Sequence, residues 1–186
     1  MTPTDRDEYI ALRATIRERG TTRMWIVLTG MSSWAITALL AVALAPSPTA
    51  TLMPLVVLAT AFEITFALHI GVERIGRYLQ VFHEGRAGWE HRIMEFPRGR
   101  HRLAGTDALF SHYFALATVL NVIPAGIAAP IAVEWIVIGA GHALFLGRLV
   151  AARQTAARQR AEDLARFEQI RKESQGTASV EARAEP

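Results

Sequence analysis

The sequence contains no cysteine and only one lysine, Lys172. The absence of cysteine excludes disulfide bonds, thiolate metal sites and cysteine nucleophiles. The sequence also lacks a P-loop, a Gly-x-Gly-x-x-Gly pattern and a Gly-x-Ser-x-Gly pattern, so no nucleotide-binding or serine-hydrolase motif is present. Arginine supplies the other 19 of the 20 basic residues, a bias typical of proteins from GC-rich bacterial genomes. No catalytic activity is expected from these features.

Charged residues are missing from two long stretches of the chain. Residues 24–62 form a run of 39 uncharged residues, and residues 108–133 form a second run of 26. A helix needs about 20 apolar residues, each rising about 1.5 Å, to cross the ~30 Å hydrocarbon core of a bilayer. The core of a soluble protein does not require uncharged runs of this length. The sequence therefore predicts an integral membrane protein.

The hydrophobic pattern predicts an all-α membrane protein with four transmembrane helices, arranged as two hairpins with cytoplasmic helical extensions. The predicted spans are residues 24–45, 52–72, 108–129 and 131–150. The rest is a cytoplasmic amphipathic helix (1–23), a connector (73–107), a cytoplasmic helix (151–175) and a disordered tail (176–186). Gly20 is expected to break the first helix, Pro124 to bend or end the third span, and residues 89–96 to form a short helix.

The distribution of basic residues predicts the orientation. Five lie in the N-terminal segment, seven in the connector and eight in the C-terminal segment, while the two remaining turns have none. By the positive-inside rule both termini are cytoplasmic, in a multi-pass protein of the bacterial inner membrane. No cleavable signal peptide is expected, because charged residues crowd the N-terminus. The arginines expected to fix this orientation, or to contact anionic lipid headgroups, are Arg74, Arg77, Arg98, Arg100, Arg102 and Arg148.

Because the arginines cluster beside the predicted spans, nucleic acid is not expected as a partner. The polar residues within or bordering the spans are Glu63, Asn121 and Glu134. A carboxylate inside the bilayer costs several kcal/mol unless it is paired, protonated or hydrated. Glu63 is interpreted either as a proton or cation site, or as a protonated carboxyl bonded to another helix, for example to Asn121. Glu63 and Glu134 are each followed, after twelve residues, by Gly-Arg, which fits two repeated hairpins or a coincidence.

Three histidines are candidate ligands. His69, His112 and His142 are each predicted about 8–9 Å inside the cytoplasmic boundary, on three different spans. Imidazoles at one depth on facing helices could bind haem or a divalent metal. The alternative is that each hydrogen-bonds to nearby backbone carbonyls. No cofactor is expected, and the binding of haem or a divalent metal by these histidines is the alternative hypothesis.

Small residues recur every four positions on the third and fourth spans. Such ridges let transmembrane helices approach closely. The ridge residues are Ala117 and Ala125, with Asn121 between them, and Gly139, Ala143 and Gly147. The leading hypothesis is an accessory, scaffold or assembly subunit of a membrane complex, or a self-associating protein. The alternatives are an oligomeric transporter or channel that uses Glu63, and an electron-transfer protein that uses the three histidines.

Overall fold

The computed structural model describes residues 3–44, 47–84, 88–89, 92 and 109–184. These residues are helical apart from short turns, and no strand occurs among them. The elements are α1 (Pro3–Leu44), a 3-10 turn (Pro48–Thr51), α2 (Leu52–Phe82), α3 (Ser111–Leu120), α4 (Ile123–Ile127) and α5 (Ala132–Ala184). The all-α prediction is therefore confirmed for the described part of the chain.

Three helices are long and apolar enough to cross a membrane, judged by length and composition. They are α1, α2 together with its preceding 3-10 turn, and the part of α5 up to Thr177. The segment Ser111–Ile127 is apolar but shorter. The chain divides into two compact units. The apolar unit is Gly20–His69 with Asp107–Thr155, and the charged unit is Met1–Arg19, Ile70–Thr106 and Ala156–Pro186.

The core of the apolar unit is built around Phe62 of α2, which is fully buried. Its ring meets Phe114 of α3 edge-on at 5.3 Å between ring centres, and Phe145 of α5 at 6.0 Å. Edge-to-face pairs at these distances are favourable, because the positive ring edge meets the negative ring face. Phe62 therefore joins α2, α3 and α5 at one point of the core.

Helix α1 packs against α2 at one close approach. A Cβ atom at Gly30 would overlap the methyl group of Ala61, so only glycine allows this contact. Some side chains of α1 pack against the core and are partly buried, but no residue of α1 is fully buried. Large apolar side chains such as Leu39 and Leu44 are exposed along its second half. An exposed apolar face of this kind fits a lipid surrounding or another protein.

The third predicted span is interrupted in the structure. The sequence predicted a span over residues 108–129 that is bent or ended near Pro124, and the chain forms α3 and α4 with a turn at Asn121 and Val122. Pro124 explains the interruption, because it has no N–H to offer to the carbonyl group four residues earlier. The break begins three positions before the proline, at Asn121, whose side chain makes its hydrogen bonds there.

Two predicted boundaries differ from the structure. Helix α1 continues through Gly20, because one glycine costs only about 1 kcal/mol in a helix. Helix α5 continues through the predicted disordered tail to Ala184, since an existing helix extends more readily than a new one nucleates. Most of the predicted helix at 89–96 lies outside the described residues, as do Arg98, Arg100 and Arg102.

Candidate functional site

Glu63 of α2 and Arg148 of α5 form a bidentate ion pair in the apolar unit. Arg148 Nε lies 2.8 Å from Glu63 Oε1, and Arg148 Nη2 donates a hydrogen bond of 2.8 Å to Glu63 Oε2. The guanidinium group also lies over the ring of Phe66, 4.7 Å from its centre. Parallel bonds of this type are the strongest carboxylate–arginine geometry, and the ring adds a cation–π attraction. Glu63 is thus bound to Arg148, whereas the sequence had suggested Asn121 as its partner.

The ion pair lies at the surface of the unit. The side chains of Glu63 and Arg148 are 49% and 36% exposed. Arg148 borders a shallow groove on α5 whose other lining residues are small or apolar. They are Ala140, Ala143, Leu144, Gly147 and Ala151. Two opposite charges therefore lie at the edge of an otherwise apolar surface.

Asn121 lies at the centre of a buried polar network at the α3–α4 break. Its Nδ2 group donates to the carbonyl oxygen of Thr51 at 2.8 Å and bonds to His142 Nε2 at 3.1 Å. Its Oδ1 accepts a hydrogen bond of 3.1 Å from Trp34 Nε1. The network joins α1, the 3-10 turn, the α3–α4 break and α5. Both amide hydrogens and the amide oxygen of Asn121 are used within the chain.

The same contacts fix the proton position on His142. Its Nδ1 lies 2.7 Å from the carbonyl oxygen of Ile138, and a carbonyl oxygen can only accept. The proton is therefore on Nδ1, and Nε2 accepts from Asn121. Reversing the Asn121 amide would place its oxygen against the Thr51 carbonyl and its NH₂ against the Trp34 N–H. One arrangement of hydrogen bonds satisfies every group, which suits a structural role.

The other two histidines have different surroundings. His69 is buried, and its Nδ1 lies 3.2 Å from Arg23 Nη1 on α1. His112 is exposed, with its ring 4.0 Å from that of Tyr113. Within the described ranges, no group of three His, Cys, Asp or Glu side chains could hold a metal ion. The structure thus gives His69, His112 and His142 separate partners, and haem or metal binding stays a prediction from the sequence.

Glu134 closes the first turn of α5. Its Oε2 accepts a hydrogen bond of 3.0 Å from the backbone N–H of Ile131, the residue before the helix. A glutamate at the third helical position commonly satisfies an N–H group in this way. The carboxylate also lies near the positive end of the helix dipole. Glu134 therefore acts as a helix cap in this structure.

The two small-residue ridges differ in burial. Ala117 of α3 and Ala125 of α4 are buried inside the apolar unit. Gly139, Ala143 and Gly147 of α5 are exposed. A Cβ atom at either glycine would meet no atom of another described helix within 4 Å. The first ridge thus packs within the chain, and the second is left without a neighbouring helix in the described part of the chain.

The predicted topogenic arginines Arg74 and Arg77 form ion pairs in the charged unit. Arg74 Nε lies 3.2 Å from Asp163 Oδ2 of α5. Glu73 accepts hydrogen bonds from Arg77 at 3.2 Å and from Arg160 of α5 at 2.8 Å. Arg77 is almost fully buried. Arg74, through Asp163, and Glu73, through Arg160, connect α2 to α5, whereas Arg77 bonds to Glu73 within α2.

The N-terminal part of α1 joins the same unit. Tyr78 of α2 donates a hydrogen bond of 2.9 Å to Glu8 Oε1, and Arg13 pairs with Glu84. The ring of Tyr78 meets Phe167 of α5 edge-on at 5.7 Å. Burial, followed by the hydrogen bond to Glu8, raises the pKa of Tyr78 above its usual value of 10.0. The phenol therefore stays protonated to a higher pH in the folded protein.

Trp34 was not identified as a site residue from the sequence, and Arg148 was given a different role. Trp34 lies in the middle of the first predicted span, whereas tryptophan usually occupies the membrane interface. Its position was a signal that the indole N–H needed a partner. Arg148 was assigned to the cytoplasmic boundary. Only 13 residues, 135–147, lie between Glu134 and Arg148. They form about 20 Å of helix, which is shorter than the ~30 Å hydrocarbon core, so the two residues could not lie at opposite boundaries of a bilayer.

Comparison with protein-family models, curated proteins and solved structures finds no match to this chain.

Proposed function

We propose that the chain is a multi-pass membrane protein that acts as a non-enzymatic accessory, scaffold or assembly subunit of a membrane complex, in which it associates with another protein or with itself. Three long apolar helices support the membrane location. The apolar segment Ser111–Ile127 is then the fourth crossing, since its 17 residues reach the lower limit of about 17 residues for a transmembrane segment. Positive-inside counting places both termini in the cytoplasm.

The break between α3 and α4 is compatible with a location inside the bilayer. Backbone groups released by a broken helix are tolerated there only when protein covers them and supplies hydrogen bonds. Asn121 is almost fully buried, and its own N–H bonds to the carbonyl oxygen of Ala117. Its side chain joins the break to Thr51 and Trp34. The network thus stabilises a helix arrangement and leaves no reactive group of Asn121 or His142 exposed.

The open α5 ridge is the observation that carries the proposal. Apolar packing between transmembrane helices depends on close contact, which small residues permit. Gly139, Ala143 and Gly147 form such a surface and are exposed. A transmembrane helix of another chain would fill it at the close distance that the glycines allow. We name this surface, with the groove beside it, the α5 face.

Co-purification from membranes tests the proposal. The tagged chain is extracted in a mild detergent and isolated at low salt, and its apparent size and bound proteins are measured. We expect a complex larger than one chain. Ala143→Leu should release the associated chain, because the new side chain separates the two helices. Ala43→Leu, the same change at an exposed residue of α1, should leave the complex intact.

A single chain without bound protein, or equal loss of association in both variants, would contradict the proposal.

A further inference from the structure

The edge of the α5 face carries charge, and this charge restricts what can cover it. Arg148 borders the groove, and its bond to Glu63 leaves the side chain of Glu63 about half exposed and that of Arg148 about a third exposed. The ion pair uses two of the five N–H donors of Arg148, at Nε and Nη2. The carboxylate of Glu63 can also accept further hydrogen bonds. A helix on this face therefore meets a positive and a negative group side by side.

The ion pair lies far from both ends of the apolar part of α2. Glu63 lies eleven positions after Leu52, at the start of α2, and eleven positions before Arg74. Each interval is about 16 Å of helix. In the proposed orientation the pair is therefore near the middle of the bilayer. Charged groups at that depth are costly to expose to lipid, so covering them with complementary polar groups is favourable.

A second copy of the chain already carries complementary charged groups, since it has the same Arg148 and Glu63. Two copies inserted in the same orientation are related by a two-fold axis along the membrane normal. Each residue then lies at the same depth as its equivalent in the other copy. The second copy presents Arg148 and Glu63 at the depth where the first copy presents them. A helix of a different protein would need its own matching pair of charges at this depth.

We infer that the α5 face binds the α5 face of a second copy, in a parallel dimer in which Arg148 of each chain also bonds to Glu63 of the other. The inference rests on the proposed function and specifies its partner. The ridge of Gly139, Ala143 and Gly147 gives the close helix contact. The four charges at its edge form one network, in which each carboxylate lies between two guanidinium groups.

Cysteine cross-linking tests the contact, because the chain has no cysteine of its own. Single cysteines are placed at Gly139, Ala143 and Gly147, and at Val137 as a control on another side of α5. A disulfide forms only when the two Cβ atoms come within about 4 Å. We expect disulfide-linked dimers at the three ridge positions and none at Val137. Equal cross-linking at Val137, or none at the ridge, would overturn it.

Mixed copies test the exchanged ion pair. One chain carries Glu63→Gln, the other carries Arg148→Gln, and both carry Ala143→Cys. Only a mixed dimer can then form an ion pair between the retained Arg148 and the retained Glu63. Expressed together, they should give roughly tenfold more mixed than like-with-like dimer, the scale of one close charge pair. A statistical mixture would overturn the exchanged pair.

The outcomes also separate the inference from the proposed function. A complex that contains another protein, with no disulfide between copies, would refute the dimer and leave the scaffold proposal standing. A chain that neither cross-links nor co-purifies with any protein would refute both. Should the charge variants fail to accumulate, the ridge cysteines in the otherwise unchanged chain still decide whether two copies meet at α5.

Discussion

Asn121 Nδ2 and His142 Nε2, from residues 21 positions apart, form a hydrogen bond of 3.1 Å inside the apolar unit. Each side chain also forms a hydrogen bond with a backbone carbonyl group. Asn121 bonds to Thr51 and His142 to Ile138. Together they tie the α3–α4 break to α5 and to the turn before α2. The two residues therefore stabilise the unit at the point where its helical backbone is interrupted.

Replacement of Asn121 is expected to destabilise the protein more than replacement of one of its partners. Asn121→Leu removes three hydrogen bonds, whereas Trp34→Phe removes one and keeps an aromatic ring. Hydrogen bonds between membrane helices contribute about 0.6 kcal/mol on average, and up to about 1.7. Trp34→Phe should lie in that range, and Asn121→Leu well above it. Unfolding in detergent, followed by circular dichroism, measures both, and equal losses would contradict the network.

The Glu63–Arg148 pair should behave as a coupled unit. Glu63→Gln or Arg148→Gln alone leaves one unpaired charge, with an expected cost of about 3 kcal/mol in the middle of a membrane. The double variant carries no charge there, so it should be more stable than either single variant. Unfolding free energies of the four proteins form a double-mutant cycle. Additive losses would show that the two residues act independently.

A transport role for Glu63 is the alternative hypothesis, and flux distinguishes it from a structural role. We expect liposomes containing the wild-type protein and those containing Glu63→Gln to show equal proton flux, because the structure pairs this carboxylate with Arg148. Empty liposomes give the background. Flux above background in the wild-type protein that disappears in Glu63→Gln would support a transporter.

Haem or metal binding is tested by the colour and the metal content of the purified protein. We expect a reduced-minus-oxidised spectrum without haem bands, and no stoichiometric metal. His142→Ala should lower the unfolding temperature, since it leaves the side chain of Asn121 with an unsatisfied N–H. A haem spectrum that disappears in His69→Ala or His142→Ala would show haem binding and support the electron-transfer hypothesis instead.

Alkaline pH should weaken the charged unit through Tyr78. Its folded-state pKa is raised above 10.0, so the folded protein holds this proton more tightly than the unfolded chain. The resulting stabilisation is complete below about pH 10 and is lost as the pH rises through the folded-state pKa. The unfolding free energy of the wild-type protein should therefore fall more steeply above pH 10 than that of Tyr78→Phe. Parallel curves would contradict this assignment.

The long helices could be predicted from the sequence because uncharged runs and their lengths are local properties. The partners within the apolar unit could not, because they depend on how the helices are rotated about their axes. Ala117 and Ala143 belong to similar ridges, yet one is buried in the chain and the other is exposed. Glu63 shares a helical face with Arg74 and Arg77, but its partner, Arg148, lies on another helix.

Native mass spectrometry of the wild-type protein, released from a mild detergent at low collision energy, measures directly whether the chain associates with another protein or with itself. We expect an assembly heavier than one chain, which Ala143→Leu converts to the mass of one chain while Ala43→Leu does not. A wild-type protein that is folded and yet has the mass of a single chain, with no protein bound, would contradict the proposed association.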